Sequence, residues 1–248
     1  VDSAMTELKK VTNETDETYR NFLKTASNVS SVIGSTVSDF TDATAAFARL
    51  GYNISESAKM AETAIVYKNV ADGLDSVEES TDSIISTMMA YGIAADDTMA
   101  IIDRFNAVGN NFAITSAGIG YAMQRSASAL KEGGNTIDES IGLITAANSV
   151  IQNPEQVGTA LKTIYARMGD IEAGLDGETS LSNYTEQMAQ MGYDVLDANG
   201  KLRDMGEVIE EIGNNWKNMS REQQISLSQT VAGTRQYNNL LALFDNWD

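Results

Sequence analysis

One local pattern recurs along this sequence and fixes its fold class: a residue suited to cap a helix, followed three positions later by Glu or Gln. In such a pair, the side chain of the cap accepts a hydrogen bond from the backbone N–H of the later residue. The side chain of that later residue accepts one from the backbone N–H of the cap. The pairs are Asn53 with Glu56, Asp75 with Glu78, Thr136 with Glu139, Asn153 with Gln156, Asp204 with Glu207, and Ser220 with Gln223. Each pair predicts the start of a helix.

Apolar residues keep the helical period between these starts. Ile137, Ile141 and Ile144, for example, fall on one face of a helix. The one proline, Pro154, stands at a predicted first helical position, where its missing N–H removes no hydrogen bond. Gly169 predicts the stop of that helix. The chain is therefore predicted to be all-α.

An internal repeat organises these helices into pairs. Its three copies are GYNISES from Gly51, GIAADDT from Gly92 and GNTIDES from Gly134, at intervals of 41 and 42 residues. A second helix of each pair is predicted to begin near Asp75, Thr115 and Asn153. One helix pair cannot bury its apolar face alone, so pairs at a period of about 40 residues are expected to stack as helical hairpins.

The repeat predicts three parts of the chain. Residues 1–34 are mostly polar with scattered apolar positions, and predict an exposed helical or coiled-coil arm. Residues 35–169 hold the helical-hairpin repeat core. Residues 170–248 predict a C-terminal helical part. Within it, the glycines and acids of 169–180 predict a loop, whose acids, Asp170, Glu172, Asp176 and Glu178, are explained either by weak calcium binding or, better, by solvation.

The stretch 192–213, GYDVLDANGKLRDMGEVIEEIG, begins like a calcium-binding loop. An EF-hand loop that started at Asp197 would need an oxygen ligand at position 5 and a bidentate Glu at position 12. Those positions are Lys201 and Val208. A metal site is therefore not expected in this stretch.

A turn explains the same residues better, and its register decides which side chains meet. A two-residue turn at Asn199 and Gly200 would place Leu196 opposite Arg203. A three-residue loop with Gly200 in the left-handed region instead places Leu196 opposite Leu202, so that two leucines share one face. This second register predicts one small β-hairpin, near 193–204, laid against the helices.

Composition excludes several classes of function. Asp and Glu number 35 against 17 Lys and Arg, which gives a formal charge of -18 and a surface that repels nucleic acid. The chain has no His and no Cys, so it lacks the most used general acid-base residue and the thiolates of nucleophiles and metal sites.

Adjacent acids are the remaining catalytic candidates: Asp96 with Asp97, Glu78 with Glu79, and Glu210 with Glu211. They are predicted to lie at helix starts or on solvated faces, where the helix dipole or solvent accounts for them. No catalytic, cofactor-binding or metal-binding residue is therefore predicted, and no cofactor.

The longest uncharged run lies between Arg104 and Arg125 and is long enough in residue number to span a bilayer. Its asparagines and glycines make a membrane span a poor interpretation, and predict a helical hairpin instead. Membrane contact by this chain is not expected.

Several long blocks carry a resemblance to a known family. They include STVSDFTDATAAFARLGYNISESAKMAETAIVYKNVADGL, FNAVGNNFAITSAGIGYAMQRSASAL, DESIGLITAANSVIQNPEQVGTALKTIYARM and VAGTRQYNNLLALF. In this order they resemble the core domain of phage tail tape-measure proteins, particularly those of phages and prophages of Gram-positive bacteria. The last block is similar to a family pattern of Gly, Arg, Asn and Leu, here Gly233, Arg235, Asn238 or Asn239, Leu241 and Leu243.

The resemblance implies a structural role without enzymatic activity. Tape-measure proteins occupy the lumen of the growing tail in the virion, set its length, and leave ahead of the DNA at infection; they are made in the cytoplasm of the host. The implied partners are tail-tube, tail-tip and tail-assembly chaperone proteins, and further copies of the same chain. The alternative is a secreted helical toxin or envelope-interacting protein, suggested by the uncharged run and the small residues of the helical hairpins.

Overall fold

The computed structural model of the protein describes residues 1–247, which contain twelve α-helices and two short 3-10 helices. The α-helices are α1 Asp2–Val11, α2 Asp16–Ile33, α3 Val37–Ala48, α4 Ile54–Val70, α5 Val77–Tyr91, α6 Met99–Gly109, α7 Ser116–Glu132, α8 Ile137–Ile151, α9 Pro154–Glu172, α10 Leu181–Gln190, α11 Met205–Asn215 and α12 Arg221–Phe244. The 3-10 helices are Ala95–Asp97 and Trp216–Asn218. The predicted all-α class is confirmed.

The predicted capping pairs begin several of these helices. Asn53, Thr136 and Ser220 each form a full capping box, in which both the cap and the Glu or Gln three residues later make their hydrogen bonds. Asn153 accepts from the backbone N–H of Gln156, with Pro154 in the first turn as predicted. Each such cap is worth about 1 kcal/mol, so local sequence contributes measurably to where these helices start.

Three local predictions were wrong in detail. Helix α5 is capped by Ser76, not Asp75, and the Asp75 N–H donates to Glu79. Asp204 precedes α11 but makes no side-chain cap. Helix α9 passes Gly169 and ends at Glu172, because Gly174 (φ 73°) supplies the left-handed turn that stops it.

The chain divides into two compact units. The first holds Val1–Asn111 and Thr115–Gly120, and the second holds Phe112–Ile114 and the chain from Tyr121 onward. The predicted division into segments 1–34, 35–169 and 170–248 stays a prediction.

The first unit has a core to which α1 to α4 contribute. Leu8 of α1 is fully buried, and Phe22 of α2 stacks near Phe40 of α3 with ring centroids 6.0 Å apart. The expectation that residues 1–34 form an exposed arm is therefore wrong for this face. Residues 1–34 are mostly polar, but their few apolar residues recur at helical spacing and form a stripe that packs against α3.

The second unit is built around α12, against which α8, α9 and α10 pack. The fully buried side chains here include Tyr184 of α10 and Phe244 at the end of α12. Helices α8 and α9 form one of the predicted helical pairs, as α4 and α5 do in the first unit. No helix among residues 1–247 combines the length and apolarity that a membrane span requires.

The predicted β-hairpin is absent as a pair of strands. Within the described chain, its place is taken by a loop with one isolated antiparallel bridge, between Leu196 and Leu202. The predicted register is present, with Gly200 at φ 78° and the Asp197 N–H donating to the Lys201 carbonyl over 2.7 Å. One further backbone hydrogen bond crosses the loop, from the Arg203 N–H to the Val195 carbonyl over 2.9 Å. The pairing goes no further because α11 begins two residues later, at Met205.

Candidate functional site

The acidic pairs singled out in the sequence have separate structural roles. Asp96 lies 3.0 Å from Lys59 in an exposed ion pair, and Glu79 holds the backbone at the start of α5. Glu211 lies 2.5 Å from Arg203, whose pKa is raised by this hydrogen bond and by Glu207. Glu210 lines a groove described below. The fold does not bring any of these pairs together into one carboxylate site.

The stretch that begins like a calcium loop is held by its own backbone. Asp197 Oδ1 accepts from the backbone N–H groups of Asn199 and Lys201, over 2.8 and 2.9 Å. These bonds lower the pKa of the Asp197 carboxyl, the Lys201 N–H most strongly. The carboxylate oxygen closes a turn, and across residues 1–247 no three Asp, Glu, His or Cys side chains are grouped to hold a metal ion.

A break in α12 is the first distinctive feature of the second unit. Gly233 lies inside the helix with φ 71° and ψ 171°, a backbone conformation that is essentially restricted to glycine. Upstream of the break, Arg167 Nη1 donates to the carbonyls of Thr230 and Val231, over 2.7 and 3.0 Å. Downstream, Glu178 accepts from the N–H and the hydroxyl of Thr234, over 3.3 and 3.0 Å.

These contacts place a cation at the C-terminal end of one half-helix and an anion at the N-terminal end of the next, where each complements the helix dipole. Arg167 has a side chain only 10% exposed and also approaches Asp176, at 3.4 Å. Beside it, burial raises the pKa of the Tyr184 hydroxyl, and the Arg167 charge opposes that rise. We call Arg167, Asp176, Glu178 and Gly233 the Gly233 clasp. Arg167 and Glu178 hydrogen-bond the backbone on the two sides of the break, so the role of the clasp is structural.

A groove beside α8 and α11 is the second distinctive feature, and it has a volume of about 600 Å³. We call it the α8–α11 groove. Its lining residues are Gly134, Asn135, Glu139, Gly142, Leu143, Ala146, Gly206, Glu207, Ile209, Glu210, Asn214, Asn246 and Trp247. All of them belong to the second unit.

Glycines and short contacts fix the two ends of the groove. At one end, the Gly206 N–H donates to the Gly133 carbonyl over 2.8 Å, which joins the starts of α8 and α11. At the other end, the Trp247 indole donates to Asn214 over 3.1 Å and lies against Gly213. A Cβ atom on Gly213 would stand 2.1 Å from the indole, so only glycine permits this closure.

Sequence reasoning identified parts of the groove but not the groove itself. Glu139 and Glu207 were found as capping residues, Gly134 as the start of a repeat copy, and Glu210 as one of a pair of acids. Nothing local indicated that residues more than sixty positions apart would share a surface. The Gly233 clasp was missed for the same reason, although Gly233 itself belongs to the last block of the family resemblance.

Comparison with known proteins gives the family. A family model described as phage-related minor tail protein matches residues 23–233, which include most of both units and end at the break at Gly233. No solved structure gives a significant match to the chain. Because the matched segment spans most of the sequence, the chain belongs to the phage-related minor tail protein family.

Proposed function

We propose that this chain is the folded core domain of a tail tape-measure protein, which acts in tail assembly and length determination, and in genome ejection. The match of the minor tail protein family over residues 23–233 carries the proposal. Three of the four blocks quoted above fall in the same interval, and the fourth, residues 231–244, begins inside it. The role is structural, by contacts with tail-tube, tail-tip and chaperone proteins and with further copies of the chain.

Helix lengths support a division of labour inside a longer parent protein. A continuous helix of 248 residues would reach about 370 Å at 1.5 Å per residue. The longest helix among the described residues, α12, has 24 residues and would reach about 36 Å unbroken. This chain is therefore a folded module, and extended segments elsewhere in the parent protein do the measuring.

Charge fits passage ahead of the genome. At a formal charge of -18, the chain repels the phosphate backbone of DNA and is not expected to bind it. A protein that leaves the tail before the genome must not stay bound to the DNA that follows it. We therefore assign no contact with DNA to the chain.

Deletion in the parent reading frame tests the proposal. Removing residues 1–248 should abolish tails or leave them malformed, because a folded assembly module is lost. Removing the same number of residues from an extended helical segment of the parent protein should shorten intact tails by about 370 Å. Tail length is measured by electron microscopy of negatively stained particles.

Two outcomes would contradict the proposal. If deleting this chain shortened intact tails by the full helical length, it would be part of the ruler itself. If the deletion left both tail length and infectivity unchanged, the chain would have no role in the tail. Glu186→Lys, an exposed substitution on α10 outside the groove, serves as the control, since it keeps the whole chain.

A further inference from the structure

We propose that the α8–α11 groove binds a helical segment of a partner protein that presents an apolar stripe flanked by lysine or arginine. The proposal deepens the proposed function, because it names the chemistry of one partner of the assembly module. It rests on the shape, polarity and charge of the groove.

The floor of the groove is apolar. Leu143 and Ile209 are 5% and 1% exposed, and the Trp247 indole closes one end. Along α8, Glu139, Leu143 and Ala146 fall on one face over two turns, a length of about 10 Å. Such a surface matches two to three turns of another helix, whose apolar side chains would cover the floor.

One wall allows close approach of another backbone. A Cβ atom on Gly142 would meet nothing within 4 Å, so the groove is open directly above α8 at this position. Ala146 follows one turn later, and the two small residues leave room for a second helix axis.

The rim of the groove is acidic, which determines the charge of the partner. Glu139, Glu207 and Glu210 line it, and no Lys or Arg is among its lining residues, all of which lie in the described chain. Glu139 is engaged in its capping box and Glu207 in an ion pair with Arg203. Glu210 has no ion-pair partner within residues 1–247, so its charge is available to a cation from outside.

A buried polar atom at one end of the groove also lacks a partner. Asn135 is 4% exposed, and its Oδ1 accepts no hydrogen bond from any described residue. The amide lies against Gly206, 3.0 Å from where a Cβ atom would stand. An unpaired buried acceptor of this kind is costly, and it makes this end of the groove polar.

Charge also argues against a second copy of this chain as the occupant. A second copy would also carry a formal charge of -18, so its approach to this acidic rim is disfavoured, whereas contacts between copies at other surfaces are unaffected. A basic segment is instead attracted to the rim from a distance. The partner class is therefore a basic amphipathic helix.

A synthetic peptide tests this directly. The probe is a labelled helical peptide of about 18 residues, made of Leu, Ala and Lys, with lysines on both sides of one apolar stripe. Fluorescence anisotropy at about 0.15 M salt should show saturable binding of one peptide to the 248-residue chain. A peptide with Glu in place of every Lys should not bind.

Matched variants separate the groove from the general acidity of the chain. Gly142→Leu, which fills the open wall, and Glu210→Lys, which reverses the free charge, should each weaken binding about tenfold. Gly169→Leu, on an open face of α9, and Glu186→Lys, on an exposed face of α10, should change it less than about twofold. Circular dichroism verifies that each variant is folded.

Protection of single cysteines from labelling provides a second measurement, which does not require a substitution that fills the groove. The chain has no native cysteine, so a single Ala146→Cys reports on the groove and Ala189→Cys on an exposed position of α10. Bound peptide should slow maleimide labelling at position 146 and leave position 189 unchanged.

Three results would overturn the proposal: no saturable binding by the lysine peptide, equal losses in the groove and control variants, or equal protection at both cysteines. None of them bears on whether deletion of the chain abolishes tails. Conversely, tail assembly that is indifferent to the deletion would refute the proposed function and leave the binding result intact.

Discussion

Replacement of Gly233 by alanine should destabilise the second unit, and the structure gives the magnitude. The backbone at Gly233 lies in a region that costs other residues about 1–3 kcal/mol. The added Cβ would also stand 2.8 Å from Glu178 Oε2 and 3.1 Å from Arg167 Nε. Glu178 can move away, since its side chain is 40% exposed, but the Arg167 side chain is only 10% exposed and donates to two carbonyls.

Loss of one charge-assisted bond from Arg167 would cost about 1.5 kcal/mol in addition to the backbone strain. We therefore expect Gly233→Ala to lower the free energy of unfolding by about 3 kcal/mol. For a chain of this size, that corresponds to a fall in melting temperature of roughly 6–12 °C. Urea unfolding followed by circular dichroism measures the free energy, and calorimetry the melting temperature.

Gly142→Ala is the matched control, because it lies in a helix with open space around its Cβ position. It should raise stability by about 0.5–1 kcal/mol. Glu178→Gln should cost only about 0.5 kcal/mol, since this carboxylate is partly screened by solvent, and should combine with Gly233→Ala less than additively. The reasoning would be refuted if Gly233→Ala matched the wild type in stability, with α12 continuous across the substitution.

Two further predictions concern close packing and acid pH. Gly158→Ala should cost about 1–3 kcal/mol in urea unfolding, because its Cβ would stand 2.5 Å from the backbone carbonyl oxygen of Ala122. Gly169→Ala on the same helix meets open space, so it should raise stability by about 0.5–1 kcal/mol, as at Gly142. The pKa of Asp197 is lowered in the folded chain, so its stabilising effect is present above its unfolded pKa and is lost as pH falls through the folded pKa. Carboxyl NMR should show Asp197 titrating below the ordinary range for aspartate, and an ordinary pKa would contradict the turn geometry.

Helix starts were predictable from the sequence because a cap acts within four residues. Asn53, Thr136 and Ser220 needed no tertiary information. The error at α5 shows the limit of this reasoning, since Asp75 and Ser76 are both capping residues with a glutamate three positions later. The structure selects Ser76, because Glu79 then also satisfies the Asp75 N–H.

Features that depend on distant partners could not be predicted. Residues 1–34 read as an exposed arm because polar residues outnumber apolar ones, yet a narrow stripe that includes Leu8 and Phe22 suffices to bury one face against α3. Likewise, α12 reads as one long helix from its sequence. The break at Gly233 is stabilised by Arg167 and Glu178, which lie more than fifty residues earlier.

Two equivalent glycines of the repeat show why the α8–α11 groove forms at only one of these two turns. Gly51 and Gly134 both open a copy of the repeat, and both have positive φ, 95° and 90°. A Cβ atom on Gly51 would meet nothing within 4 Å, whereas one on Gly134 would stand 2.7 Å from Asp204, just before α11. The repeat therefore specifies only the turn that starts a helix. The groove exists at the third copy because α11 is packed against that turn, so similarity between repeat copies gives no reason to expect an equivalent site at Gly51.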